Sequence, residues 1–308
     1  MRIIFLLIVP FSICQAGICQ IERPNKAYGE FTAEVTRSDS VGYIYDYTIK
    51  NAEESEQVLV AFSIFIKDKS FYNKTIPSPS TKKWYIDGLD KIYITGAAAG
   101  KILDLPPENG LSPGEQIEIS FNSEGLPAIH PFYTEGFVEP LTDEYIDSLF
   151  KAGYTEDEIF IDWKEAAYKG DTISPRVWSE NVDMGVFLDS LNSYLVFSCD
   201  TTWVTNKGIC RSLQAKLDNV DKQLSKDKTK QAINGLNAFL NEVRAQQGKH
   251  ITSEGYALLW FNGLELLEQL GGERTGGGKG GKKDKDDKKG GKGKKGNKGK
   301  GEMRDVRR

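Results

Sequence analysis

The stretch Tyr43-Ile44-Tyr45-Asp46-Tyr47-Thr48-Ile49 sets Tyr43, Tyr45, Tyr47 and Ile49 on one side of an extended chain, because successive side chains of a strand point to opposite faces. Three large rings and an isoleucine in that register predict a strand with one buried face. Downstream, Val58-Leu59-Val60-Ala61-Phe62-Ser63-Ile64-Phe65-Ile66 is a continuous β-branched and aromatic run, which suits a strand covered on both sides. Phe31–Val35, Trp84–Ile86, Lys91–Ile94 and Gln116–Phe121 repeat the theme, separated by turn residues such as Ser38-Asp39-Ser40, Pro77-Ser78-Pro79 and Ser112-Pro113-Gly114. Short strands punctuated this way predict an antiparallel β-sandwich.

The Pro113-Gly114 pair fixes a turn, since Pro presets φ and Gly accepts φ > 0. The turn is followed by a strand and then by Leu126-Pro127, read as a corner. Together these features resemble immunoglobulin-like sandwiches of secreted bacterial proteins, a resemblance that implies a fold and no particular activity. The sandwich domain is set at 27–180. Within it, about 140–170 is read as a helical elaboration: one helix after Thr142, closed by Gly153, and a second from Ile159 to Lys169, ended by Gly170. The chain then returns as a last strand from Ile173 to Trp178.

From 181 to 270 the period changes. Phe187, Leu188, Leu191, Tyr194 and Leu195 recur at helical spacing, and so do Ile209, Leu213, Leu217, Val220 and Leu224. Ala232, Leu236, Phe239, Leu240 and Val243 form a third stripe, and Leu258, Leu259, Phe261, Leu264 and Leu267 a fourth. Four amphipathic helices with short connections predict a small bundle. The run Trp203-Val204-Thr205-Asn206-Lys207-Gly208-Ile209, with Ser212-Leu213, Lys216-Leu217, Ala238–Val243 and Gly248-Lys249-His250-Ile251-Thr252, resembles the FIMAH domain. This is a helical module appended to other domains of secreted prokaryotic proteins, and the resemblance implies no catalytic residue. The cysteine pair within the module is a departure from its common pattern.

Charge divides the chain. Of its 308 residues, 271–308 hold 15 Lys/Arg against 6 Asp/Glu, a net of +9, whereas 1–270 hold 25 against 38, a net of −13. The tail also holds 13 of the 31 glycines and almost no apolar residue, so it is expected to stay disordered. Its Lys279, Lys282, Lys283, Lys288, Lys289, Lys294, Lys295, Lys298 and Lys300 are read as an electrostatic tether to an anionic glycan or membrane surface. The rival is a tail that folds back on the acidic body. Asp284, Asp286 and Asp287 interrupt the lysines, which argues against a dedicated nucleic-acid arm.

At the other end, Met1-Arg2 precedes an apolar run from Ile3 to Cys14 and then Ala16-Gly17, the layout of a signal peptide over 1–19. Cleavage is expected after Ala16 or after Cys19. A lipoprotein anchor on Cys14 or Cys19 is the alternative, disfavoured because Ile13 and Ile18 stand where a lipobox needs Gly or Ala. The mature chain, with no further spanning segment, is expected in an oxidising or extracellular compartment.

In that compartment Cys199 and Cys210 read as a disulfide, against the alternative of two free buried thiols. His130, in Ala128-Ile129-His130-Pro131, is read as a loop or corner histidine before a general base, and His250 as a structural contact. Thr155-Glu156-Asp157-Glu158, with Asp162, lacks an EF-hand pattern and reads as helix capping. The aromatic residues fit a sandwich core, or some tyrosines line a sugar-binding face. No cofactor motif is present. The sequence is thus read as a secreted, non-enzymatic binding or adhesion protein with an extracellular protein or anionic surface as partner. The alternative is an extracellular hydrolase or its accessory subunit, with acidic residues of 135–165 near the site.

Overall fold

A computed structural model describes residues 25–39, 42–66, 71–75, 84–87, 93–98, 108–159, 166–178 and 182–273. The described residues belong to one compact unit that ends at Arg274. The expected signal peptide, both of its cysteines and the nine tail lysines lie outside them. Among the described residues nine strands and six helices follow in order: β1 (Gly29–Ser38), β2 (Gly42–Asn51), β3 (Leu59–Phe65), β4 (Phe71–Thr75), β5 (Trp84–Asp87), β6 (Tyr93–Ala98), β7 (Gln116–Ser123), β8 (Leu126–Gly136), α1 (Asp143–Ala152), α2 (Glu156–Ile159), β9 (Tyr168–Arg176), α3 (Met184–Asp200), α4 (Lys207–Leu224), α5 (Thr229–Gln246) and α6 (Ser253–Gln269).

The strands form two sheets, β1-β2-β7-β4 and β5-β6-β3-β8-β9, and every pairing is antiparallel. Tyr45 stands opposite Val35 and Phe121, and Tyr47 opposite Ala33 and Ile119. The period-2 face therefore lines up across three strands, and all of these side chains are buried. The rings of Tyr45 and Tyr47 stack on Phe121 at 5.4 and 5.5 Å. Their hydroxyls reach carbonyls: Tyr45 donates to Gly125 at 2.7 Å and Tyr47 to Ile173 at 2.6 Å. The second bond ties β2 to β9 of the opposite sheet, where a buried hydroxyl without an acceptor would cost about 1–3 kcal/mol. Phe31 completes the link between layers, stacking on Phe132 at 3.9 Å and meeting Phe62 edge-on at 6.1 Å. Gly170 makes room for this cluster, since a Cβ there would lie 2.5 Å from the Phe132 ring. The Ser112–Glu115 turn closes with Gly114 at φ +85° and an N–H from Glu115 to the Ser112 carbonyl, as the Pro-Gly pair predicts.

Four expectations for this half are corrected. Leu126-Pro127 is not a corner, and His130 is not in a loop: both lie in β8, an interior strand of eleven residues. Two prolines argued against a central strand, because Pro lacks the ladder N–H. The structure accommodates Pro127 by setting it opposite Pro175, a pair with no N–H to satisfy on either side. The described residues hold a short helix, Glu156–Ile159, where the expected second helix begins, and Tyr168–Gly170, assigned to the end of that helix, instead begins β9. Residues 160–165 of that expected helix lie outside the described residues. The last strand spans Tyr168–Arg176 rather than Ile173–Trp178. The first helix of the elaboration is as expected: the Thr142 side chain accepts from the Tyr145 N–H, and Gly153 closes it at φ 98°.

The four later helices bury the expected stripes. Each of α3, α4 and α6 starts at a side-chain cap: Asp183, Asn206 and Thr252 accept from backbone N–H groups of the first turn, which satisfies donors that a helix start leaves open. Helix α6 packs against α3 and α5 on one side and against β1 and β8 on another. Sheet and helices therefore share one hydrophobic core.

Candidate functional site

The helical half meets the sheets along α6 and the start of α3. Glu254, buried in the first turn of α6, accepts the Ala33 N–H of edge strand β1 at 3.1 Å. Asn262 donates to the Pro127 carbonyl and to the Leu258 carbonyl, both at 2.8 Å. Phe261 meets the Tyr43 ring at 5.2 Å, edge to face. Burial raises the Tyr43 pKa to about 12, partly offset by nearby Arg37, with Glu265 adding to the rise. Tyr45 and Tyr47 lie well above the usual phenol value, again through burial first. These tyrosines are core residues, so the sugar-face alternative does not hold for Tyr43, Tyr45 or Tyr47.

Where β9 leaves the sheet, Arg176, Trp178 and Tyr194 gather. The Arg176 guanidinium lies over the Trp178 ring, 3.9 Å from its centroid, and Trp178 packs on Phe187 at 4.8 Å. Tyr194 stands two turns beyond Phe187 on α3, hence on the same helix face. Burial raises its pKa, and a hydrogen bond from Arg176, together with the charge of that residue, draws it back in part. Among the described residues neither the Trp178 Nε1–H nor the Tyr194 O–H finds an acceptor, although both atoms are buried; the Tyr194 oxygen itself accepts from Arg176. Among the described residues no carboxylate pairs with Arg176. Sequence reasoning passed over this cluster. A signal was available, since Arg176 and Trp178 are two apart in an extended segment and so share a face, but Tyr194 read only as helix core.

The sequence-nominated residues fall elsewhere. Cys199, near the end of α3, and Cys210, in the first turn of α4, are bonded, with Cα atoms 6.1 Å apart. The bridge closes the α3–α4 loop, and this loop is laced to the α5–α6 connection. The Thr205 N–H donates to the His250 carbonyl and the Thr252 N–H to the Trp203 carbonyl, each at 2.9 Å. His250 contributes here through its backbone. His130 has a partner that the sequence did not suggest: its Nδ1 lies 2.7 Å from the Ser174 Oγ, brought there by the β8–β9 pairing. Ser174 donates to the Phe65 carbonyl at 2.6 Å. Because the serine proton goes to that carbonyl, Ser174 receives a hydrogen bond from the imidazole rather than giving one, the reverse of what a base activating a nucleophile needs. Ser174 is also fully buried.

Asp143 and Glu144 lie in the first turn of α1, where they complement the helix dipole. Among the described residues no group of three or more His, Cys, Asp or Glu could hold a metal ion, and no helix is long and apolar enough to cross a membrane. Asp162 and the tail lysines lie outside the described residues.

Residues 188–268 match the family model of the FIMAH domain, which spans α3 to α6. Among solved structures the chain is similar to an uncharacterized protein from Nocardia farcinica with an immunoglobulin-like fold, at 13% identity and a TM-score of 0.25, covering 45% of this chain and 94% of that chain. No curated protein matches the chain.

Proposed function

We propose that the chain is an exported, non-enzymatic binding or adhesion protein of the cell surface or extracellular matrix, held to an anionic glycan or membrane surface by its Gly/Lys-rich tail. The observation that carries this reading is the split of charge, +9 over 271–308 against −13 over 1–270. Lysine acts as a point charge that needs no fixed geometry to attract carboxylate or phosphate groups. The FIMAH match and the bridged cysteines support an exported setting. The test removes 271–308 and measures retention on anionic-lipid and anionic-glycan surfaces. Retention of the full chain is expected to fall steeply with salt, because the screening length is about 8 Å at physiological ionic strength. Equal or higher retention without the tail would mean that the tail folds back on the body instead.

The closeness of His130 and Ser174 favours the hydrolase reading as the second. Against it stand the direction of the hydrogen bonds and the burial of Ser174. A serine-directed fluorophosphonate that labels the full chain at Ser174 would revive the hydrolase; no labelling is expected.

A further inference from the structure

We propose that Arg176, Trp178 and Tyr194 form a subsite for a carboxylate group at the seam between β9 and α3. The site lies in the folded body and the argument for it does not rest on the tail. All three side chains are present as donors: a guanidinium, an indole N–H and a phenol O–H. Two of the donor hydrogens, those of the Trp178 indole and the Tyr194 phenol, are buried without an acceptor, and the third group has no ion pair among the described residues. Tyr194 is only 7% exposed. Arg176 donates to the Tyr194 oxygen but takes up neither proton, because neither guanidinium nor indole offers a hydrogen-bond acceptor. Native proteins pair nearly all buried polar groups, so a cluster whose one acceptor, the Tyr194 oxygen, already serves Arg176 calls for a further acceptor from outside it.

Charge and shape narrow that acceptor. One cation with two neutral donors balances a monoanion. A dianionic phosphate would leave charge uncompensated in a half-buried seam, which is costly. The guanidinium fork matches the two coplanar oxygens of a carboxylate, and the Trp178 ring provides a flat apolar wall beside it. Arg176 and Trp178 are half-buried and Val177 between them is exposed, so the seam opens to solvent at this point. Entry requires the Arg176 side chain to swing off the indole, after which one carboxylate oxygen accepts from the guanidinium and the other from Tyr194 or Trp178. A uronic acid, an acidic side chain and a chain terminus all present this group.

The test follows the Trp178 indole N–H by NMR in the full chain, its resonance assigned from Trp178→Phe. Titration with acetate at constant ionic strength is expected to shift that resonance saturably, whereas chloride leaves it in place and phosphate acts at least tenfold more weakly. Arg176→Met should abolish saturation. Tyr194→Phe should weaken it several-fold. An acetate response absent from the wild type, or unchanged in Arg176→Met, would overturn the proposal. Chloride reproducing the acetate shift would identify an adventitious ion only and overturn it equally. Because the readout is a buried indole, weak acetate binding to tail lysines does not register, and a failure here leaves the tether reading untouched.

Discussion

Helices α4 and α6 are of similar length, yet they are buried in different ways. Helix α4 buries one stripe, Leu213, Leu217 and Val220, and turns its other sides to solvent. Helix α6 buries Glu254, Gly255 and nearly every position from Ala257 to Leu267. A helix with one wall needs one apolar stripe, whereas a helix enclosed on most sides needs apolar residues nearly all round. The difference teaches that α6 belongs to two layers at once. It serves as core for the helical module and also as cover for edge strand β1 and for β8, which is one way a sandwich manages an open edge.

Phe261→Ala should give the largest effect of those that sharpen this contrast. It removes a ring held between Tyr43 and Tyr256, and a loss of about 3–5 kcal/mol is expected on chemical denaturation. Near-ultraviolet dichroism of the sheet tyrosines should change with it. Leu217→Ala on α4 should cost about 2–5 kcal/mol yet leave the sheet signal of the native state unaltered; a matching change in both variants would erase the distinction. Next comes reduction of Cys199–Cys210, which frees an 11-residue separation and should lower stability by about 3 kcal/mol in the chain-entropy model. Differential scanning with and without reductant measures it. Glu254→Ala should cost about 1–3 kcal/mol, because it strands the buried Ala33 N–H, while Glu254→Gln, which keeps an acceptor oxygen, should cost less. If the two substitutions prove equal, the β1–α6 hydrogen bond is not what Glu254 contributes.

The smallest effect at neutral pH comes from the tyrosines. Their folded pKa values are raised, so the stabilisation of the neutral phenols is complete below the ordinary value of 10.0 and is lost as pH climbs through the folded value, about 12 for Tyr43. Tyr45 and Tyr47 act in the same direction. Stability should therefore hold up to about pH 10 and fall above it. Phenolate absorbance should show these tyrosines ionising only together with unfolding. Smooth ionisation of every tyrosine near pH 10 in the folded protein would contradict their placement in the core.

Much of this architecture is written in the sequence where one period governs. Tyr43–Ile49 carries an unbroken alternation, and the helical stripes of 187–267 recur at helical spacing. Strand β8 was not legible because Pro127 and Pro131 contradict a central strand locally, and the compensation comes from Pro175 and Asn262, which are distant in sequence. The end of the elaboration misled because Tyr168-Lys169-Gly170 extends a helix-like run, whereas pairing with β8 and the fit of Gly170 under Phe132 make it a strand. The seam cluster was hidden for the same reason as the His130–Ser174 contact: each joins residues on different elements, and only the register between those elements brings them together.

Helix α6 is common to both halves, and calorimetry of the full chain tests this directly. The prediction is a single unfolding transition for residues up to Arg274, with calorimetric and van't Hoff enthalpies equal, that moves down as one when Phe261 is replaced by Ala. Two separable transitions, with Phe261→Ala shifting only that of the helical module, would contradict it.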